Sequence, residues 1–376
     1  MKIAYLGYPH SIHDAKWINR LSKKHDVIVI TDKHDLSNSL LLKSIPVHVV
    51  LDGTYSSFSR RRNNVIINDI KTLIAKYQID LIHTLYAFPN AIWASKIKLR
   101  HIITTRGSDV LVQYPIIQKP KNLKQRITFF FLRRDYQKAF RNAFAITGTS
   151  KKQTNASAEL RGSNNGVQLI RTGIPLDRLI PETPSQPGGT LQIFFPRRMG
   201  AVYNHDFFVD SLIELKSKNP DFQFKVSIIN DVPKSEYAQR IVTRIQTSGL
   251  AKHVTWLQDL SQEEMFIEYK RSDLIISIPI SDGTPNSCLE AMALKKPVLM
   301  SPLEYDPEIF NHNTVDILDP FTIDALNNYL VKFTHSENIK VREKKLENAH
   351  TLVHKLVNID VALSQIEELY HNALKQ

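Results

Sequence analysis

Twice along this chain, short apolar runs alternate with amphipathic stretches, and a segment dense in proline, glycine and serine separates the two rounds. In the first round residues 1–7, 27–31, 81–84, 102–105, 144–148 and 168–171 read as strands, and 15–24 and 64–77 have helical spacing. Residues 181–190 break the pattern. The second round sets strands at 191–195, 224–229, 253–256, 274–278, 298–300 and 315–318, with helices at 207–218, 236–247 and 261–271 and a polar helical tail over roughly 338–373. Apolar runs joined by helices specify parallel sheets with right-handed crossovers. The predicted fold class is therefore α/β with two Rossmann-like domains, 1–178 and 190–360. Two such halves on a short linker form a cleft facing the carboxyl ends of both sheets, where open α/β sheets bind their ligands.

At 376 residues the chain is long enough for two well-developed cores. Its single cysteine, Cys288, excludes an internal disulfide, fits a reducing compartment, and reads as a packing residue rather than a nucleophile. Residues 1–7 are too short for a secretory apolar region, and no apolar run approaches the roughly 20 residues of a membrane helix, so a cytoplasmic protein is expected.

The net charge of +12 is unevenly spread. Residues 1–175 carry 28 Lys/Arg against 10 Asp/Glu, net +18, whereas residues 176–376 carry 21 against 27, net −6. A first half this basic calls for an anionic partner: nucleic acid, a membrane surface or an acidic substrate. Residues 119–141 concentrate the charge, with eight positive side chains and one negative. Leu123, Ile127, Phe130 and Phe131 fall at helical spacing among them. The stretch fits an anionic membrane interface, and equally a helix packing residues 129–132 on the first sheet. Arg60, Arg61 and Arg62 form a further basic cluster. No nucleic-acid reader motif accompanies either, so nucleic acid is not the expected partner.

Residues 276–298 carry the most specific motif. An apolar strand stops at Asp282, Gly283, Thr284 and Pro285. A helix then starts through Asn286 and Ser287 and carries Glu290, and Pro297 stops it. Strand, tight loop and helix in this order aim backbone N–H groups at one spot, the seat of a phosphate. They also bring a carboxylate within reach of a ribose diol. The stretch resembles the signature of the retaining glycosyltransferases of family 4, which have the GT-B fold. That signature has two acidic residues eight positions apart followed by Ala-Met-Ala, here Asp282 and Glu290 followed by Ala291, Met292 and Ala293. Asp282 is one methylene shorter than the family's usual glutamate.

The resemblance implies a retaining, metal-independent transfer from a nucleotide-activated sugar, with no cofactor. It implies Glu290 on the ribose hydroxyls, Asp282 on sugar hydroxyls, and Gly283, Thr284, Pro285, Asn286 and Ser287 on phosphate and sugar. The family's arginine matches Arg198, which with Arg197 is expected to neutralise the leaving diphosphate. Catalysis is thus assigned to Asp282, Arg198 and Glu290. The family's following Lys-Gly pair is here Tyr203 and Asn204, so Arg197 is the candidate for the missing charge. In the first domain the resemblance puts Gly7 beneath the donor diphosphate and His10, His13, His83 and Arg106 at the acceptor or cleft. The second histidine usual near His83 is Leu85, and a buried, hydrogen-bonded His83 is the competing reading; for His10 and His13 it is simple solvation. Asp109 reads as a turn cap and Gly173 as a hinge glycine. By the same resemblance, residues 361–376 form a helix that packs back on the first domain.

No Asp-x-Asp pair, zinc-spaced His/Cys cluster, Walker loop or nucleophile elbow occurs. The expected acceptor is a glycan or lipid-linked glycan of surface polysaccharide or glycoconjugate synthesis. The expected location is cytoplasmic and peripheral, at the inner face of a membrane. Two rivals are a sugar-nucleotide epimerase of the same fold and a non-catalytic carbohydrate-binding or partner subunit, the latter kept open by Tyr203 and Leu85.

Overall fold

In the computed structural model, which describes residues 1–32, 38–51, 54–181, 189–335 and 339–375, each round of the alternation closes into its own sheet. The first contains β1 (Lys2–Leu6), β2 (Asp26–Thr31), β3 (Val47–Val49), β4 (Leu81–Thr84), β5 (His101–Thr105), β6 (Ala145–Gly148) and β7 (Val167–Leu169). Their order is β3-β2-β1-β4-β5-β6-β7. The second contains β8 (Leu191–Phe195), β9 (Phe224–Ile229), β10 (Val254–Leu257), β11 (Leu274–Ser277), β12 (Val298–Met300) and β13 (Asp316–Ile317), in the order β10-β9-β8-β11-β12-β13. The pairings are parallel throughout. Helices cover both faces of a parallel sheet, so its strands are apolar on both sides; Ile3, Ala4, Tyr5 and Leu6 of β1 are all fully buried. In each sheet the order runs outward from the first strand and then reverses. The loops after β1 and β4, and those after β8 and β11, therefore diverge and open a crevice at the strand carboxyl ends.

The chain divides into Met1–Thr172 with Asp360–Gln376, and Gly173–Ile359. This division falls ahead of residues 181–190, where composition places it; of that stretch, 182–188 lie outside the described residues. The reason is packing. Ile174, Leu176 and Leu179 are buried with Phe266, Tyr269 and Met292 in the second unit's core. Ile174 bridges Asn358, and Gly173, at φ +74°, lies so close to Ile359 that a Cβ would stand 2.5 Å from its Cα. The left-handed angle and the close approach both demand glycine.

The C-terminal helix Ile359–Lys375 belongs to the first unit from Asp360 onward. The Tyr370 hydroxyl lies 3.0 Å from that of Tyr5 and 2.6 Å from His83 Nδ1, and Glu367 takes Lys24 at 2.8 Å and His25 at 3.0 Å. His83 is fully buried and spends its other nitrogen on Thr104 Oγ1 at 2.7 Å. This corrects its placement at the acceptor or cleft: it is a core histidine that helps seat the last helix.

Burial, and secondarily the charge of Arg106, lowers the His83 pKa to about 3. Burial likewise lowers that of His205 to about 4, against weaker opposing hydrogen bonds. The native state keeps both neutral while the unfolded chain binds protons below about pH 6.5. Their contribution to stability is therefore full above that pH and is lost as pH falls, through about 4 for His205 and about 3 for His83. Urea unfolding from pH 7 down to 4.5 is expected to show a falling unfolding free energy, by up to about 1.4 kcal/mol per pH unit for each histidine. The His83→Gln variant should flatten the decline; an unchanged pH slope in that variant would remove His83 from the account.

Candidate functional site

At the reversal point of the second sheet, β8 ends at Phe195 and two adjacent arginines follow. Neighbours on an extended chain point to opposite sides, and these two do. Arg197 turns inward, its side chain 10% exposed. Its Nη2 donates to Asp282 Oδ2 at 2.5 Å and its Nη1 to Ser287 Oγ at 3.2 Å. Arg198 turns outward, 75% exposed, with Nε on Asp231 Oδ2 at 2.6 Å. The guanidinium that meets the signature is thus Arg197. Arg198, to which the resemblance gives the leading role, pairs at the surface with Asp231, a residue the sequence reading did not single out.

Tyr203 stands where the resemblance expects lysine, and its ring centroid lies 4.4 Å from Arg197 Cζ. The ring supplies a cation–π face to the guanidinium. Asn204 stands where glycine is usual and adopts φ +63°, the left-handed region that asparagine tolerates best after glycine. The departure therefore preserves the backbone of this turn while replacing a second cation with an aromatic support for the first. The Ile280 N–H donates to Val202 O at 2.9 Å and ties the turn to the signature loop.

Asp282 uses both carboxylate oxygens, one on Arg197 and the other on the Gly283 N–H at 2.7 Å. Gly283 thus turns its N–H to Asp282, while helix Asn286–Ala293 begins after Pro285 with no side-chain cap. Its first-turn N–H groups form the anion-favouring end of the motif. Thr284 lies half-buried in the intervening loop. Glu290 follows Asn286 by a helical turn; Tyr269, buried and edge-on to Phe194, donates its hydroxyl to Glu290 Oε2 at 3.2 Å. Burial, then the Glu290 charge, pushes the Tyr269 pKa well up, so it stays a donor. Tyr269 escaped the sequence reading because it lies 21 residues upstream on another helix. Cys288 beneath is fully buried, and burial raises its thiol pKa to about 12, so it packs rather than reacts.

The first unit's crevice lies after β1 and β4. A Cβ on Gly7 would stand 2.9 Å from Asp14 Oδ2, so Asp14 explains the glycine. Asp14 accepts the Tyr8 N–H at 3.0 Å and pairs with Arg106 Nη2 at 3.2 Å, both partners largely buried. Arg106 also lies over Trp17 at 5.0 Å and donates from Nε to Leu85 O at 3.2 Å. These contacts shape the loop at Gly7 and Arg106, at the crevice where their ligand contacts were expected. Asp109 is buried and accepts the N–H groups of Arg106, Gly107 and Ala87, as expected of a turn cap. His10 and His13 are exposed. Tyr8, Tyr86 and Ser108 join them unforeseen: the Tyr86 and Ser108 hydroxyls lie 2.9 Å apart and the two tyrosine rings meet edge-on at 5.9 Å.

Among the described residues no helix is long and apolar enough to cross a membrane, and no group of three His, Cys, Asp or Glu is placed to hold a metal ion.

Two family models match the chain, glycosyl transferases group 1 over residues 178–351 and glycosyl transferase 4-like over residues 2–150. The chain is 25% identical over 337 residues to an uncharacterized glycosyltransferase of Methanocaldococcus jannaschii, covering 81% of this chain and 86% of that protein. Its fold is similar to that of a glycosyltransferase from Rickettsia africae, with TM-score 0.77, 19% identity and coverage of 100% and 99% of the two chains. It is also similar to HepE of Anabaena, solved in complex with UDP, with TM-score 0.75, 16% identity and coverage of 99% and 100%. The sequence signature, the two parallel sheets and these matches agree: the chain belongs to the glycosyl transferases group 1 and is a glycosyltransferase of GT-B fold.

Proposed function

We propose that the protein is a retaining, metal-independent glycosyltransferase. It would move a sugar from a nucleotide-diphosphate donor to a glycan or lipid-linked glycan in surface polysaccharide or glycoconjugate synthesis. The observation that carries the reading is the second unit's crevice. There, Arg197, Ser287 and an uncapped helix start converge beside Asp282, and a tyrosine orients Glu290. The Anabaena relative was also solved with UDP-glucose, which supports a nucleotide sugar.

In this reading the diphosphate lies on the first turn of helix Asn286–Ala293, with Arg197 as its cation. Glu290, which accepts from Tyr269, is the residue assigned to the ribose diol. Asp282 accepts from sugar hydroxyls as the arriving phosphate takes its place on Arg197. The bond between the anomeric carbon and the phosphate oxygen breaks, the acceptor oxygen bonds to that carbon on the same face, and its proton passes to the departing phosphate. No protein general base is then required. The acceptor is assigned to the first unit, through His10, His13, Tyr8, Tyr86 and Ser108, and its anionic character matches the excess of positive charge there. A cytoplasmic enzyme held at the inner face of a membrane, against an anionic surface through residues 119–141, fits that acceptor.

Thermal-shift screening of UDP, GDP, ADP and CMP is expected to single out one nucleotide that raises the melting temperature, by about 2.7 kcal/mol of stabilisation at a hundredfold excess over Kd. Glu290→Ala should abolish the shift; a shift retained in full would refute the ribose assignment.

The two arginines separate in the same binding assay. Arg197→Gln should weaken the responding nucleoside diphosphate by roughly 10- to 100-fold, and Arg198→Gln should leave it within about threefold, as for a surface pair. Tyr203→Leu should cost roughly 3- to 10-fold through the lost cation–π support. The reverse order of the two arginine effects would restore Arg198 to the diphosphate.

A further inference from the structure

We infer that the phosphate seat of the second unit selects its occupant by charge, and that Tyr203 sets the selection. The seat holds a nucleotide sugar, or a nucleoside diphosphate whose terminal phosphate carries a proton, in preference to the fully ionised nucleoside diphosphate. This rests on the proposed donor site. Arg197, the guanidinium that meets the signature, is paired before any ligand arrives, since Asp282 accepts from its Nη2 at 2.5 Å. Arg198 is 75% exposed and paired with Asp231. Where a second cation could stand beside Arg197, the Tyr203 ring covers the guanidinium, its centroid 4.4 Å from Cζ. Guanidinium and carboxylate cancel. What remains to attract a phosphate is the first turn of helix Asn286–Ala293, worth about half an elementary charge. At such a seat each further negative charge on the ligand is poorly balanced, and Asp282 opposes it.

A nucleotide sugar and its nucleoside diphosphate differ at one oxygen. In the sugar ester that oxygen is bonded to the anomeric carbon and cannot ionise. Once freed, the terminal phosphate loses its last proton at a pKa of about 6. In the proposed transfer the departing oxygen takes the acceptor's proton, so the product forms without an added charge. The seat favours that form, and the absence of a second cation keeps the oxygen basic enough to take the proton. When the proton then passes to water, the product gains a charge for which the seat has no partner, and release is favoured. A lysine at position 203 would do the opposite: it would lower the proton affinity of the phosphate and hold the ionised product. The charged groups on the seat are Arg197, Asp282 and Glu290, with Arg198 and Asp231 beyond the turn. Burial raises the Cys288 thiol beneath to about 12 and pushes the Tyr269 and Tyr305 hydroxyls up. Behind the turn, burial lowers His205 to about 4. None of these four imitates a titration near pH 6.

The test is calorimetric titration of the full chain with UDP, GDP or ADP, whichever raises the melting temperature, over roughly pH 6 to 8. The comparison ligand is the same nucleotide methylated on its terminal phosphate, which cannot ionise further and presupposes no donor sugar. Across that range the parent should lose about fivefold or more in affinity for the nucleoside diphosphate and less than about twofold for the methyl ester. Tyr203→Lys should raise the affinity for the nucleoside diphosphate at the alkaline end by roughly 10-fold, that for the ester by no more than about threefold, and should flatten the pH dependence. Tyr203→Phe keeps the ring and should behave as the parent. A parent affinity for the nucleoside diphosphate that is flat or rises with pH would overturn the inference and leave the donor site in place, as would a lysine variant that gains equally for both ligands. The parent's own pH series decides the matter where the lysine variant does not fold. Failure of the parent to bind either ligand would overturn the donor site and the inference together.

Discussion

A parallel strand cannot hand the chain to its neighbour by a hairpin; it must send it over the sheet face and back. That constraint shapes both units. It requires a helix between strands, demands apolar residues on both strand faces, and gathers the loops after the strands at one end of each sheet. Where the strand order reverses, two of those loops part. Arg197 after β8 and Asp282 after β11 stand on the two sides of such a point, 85 positions apart in sequence and joined by an ion pair. The chemistry of the site therefore follows from topology before it follows from any particular residue.

The strands are legible in the sequence because burial on both faces leaves a continuous apolar run, as in β1, β8 and β11. The edge strand β3 is not, since Val47, His48 and Val49 are only partly covered and follow a proline. Helix Lys151–Arg161 is hidden for another reason: it buries only Gln153, Ser157 and Leu160, too few apolar positions for a helical period to show. The signature loop and Glu290 are legible because local spacing carries them. The choice between Arg197 and Arg198 is not, because a one-residue difference decides which side of the chain a guanidinium faces. Tyr269, Asp231 and Asp14 act on the site from other elements, and only the folded chain brings them there. His83 shows the opposite case, a residue whose motif suggests a ligand and whose surroundings supply all its partners.

The substitution of tyrosine for lysine at position 203 changes how the site manages charge. A second cation would repel Arg197 when no anion is present. A ring face does not, and with Asp282 as counter-ion the largely buried guanidinium is neutralised before any phosphate arrives. Removing one member of such a pair leaves the other uncompensated, at a cost of about 3–5 kcal/mol. The Arg197–Asp282 pair thus serves the resting protein as well as the proposed donor site.

The first unit is built from both ends of the chain, and this bears on how the protein is made. Tyr370 satisfies Tyr5 and His83, the former across 365 positions of sequence. The first sheet cannot complete these polar contacts until helix Ile359–Lys375 has been made. The second unit, Gly173–Ile359, is contiguous and needs no residue beyond it. Loss of helix Ile359–Lys375 alone would leave Tyr5 and His83 without their Tyr370 partner while the second unit keeps all its strands.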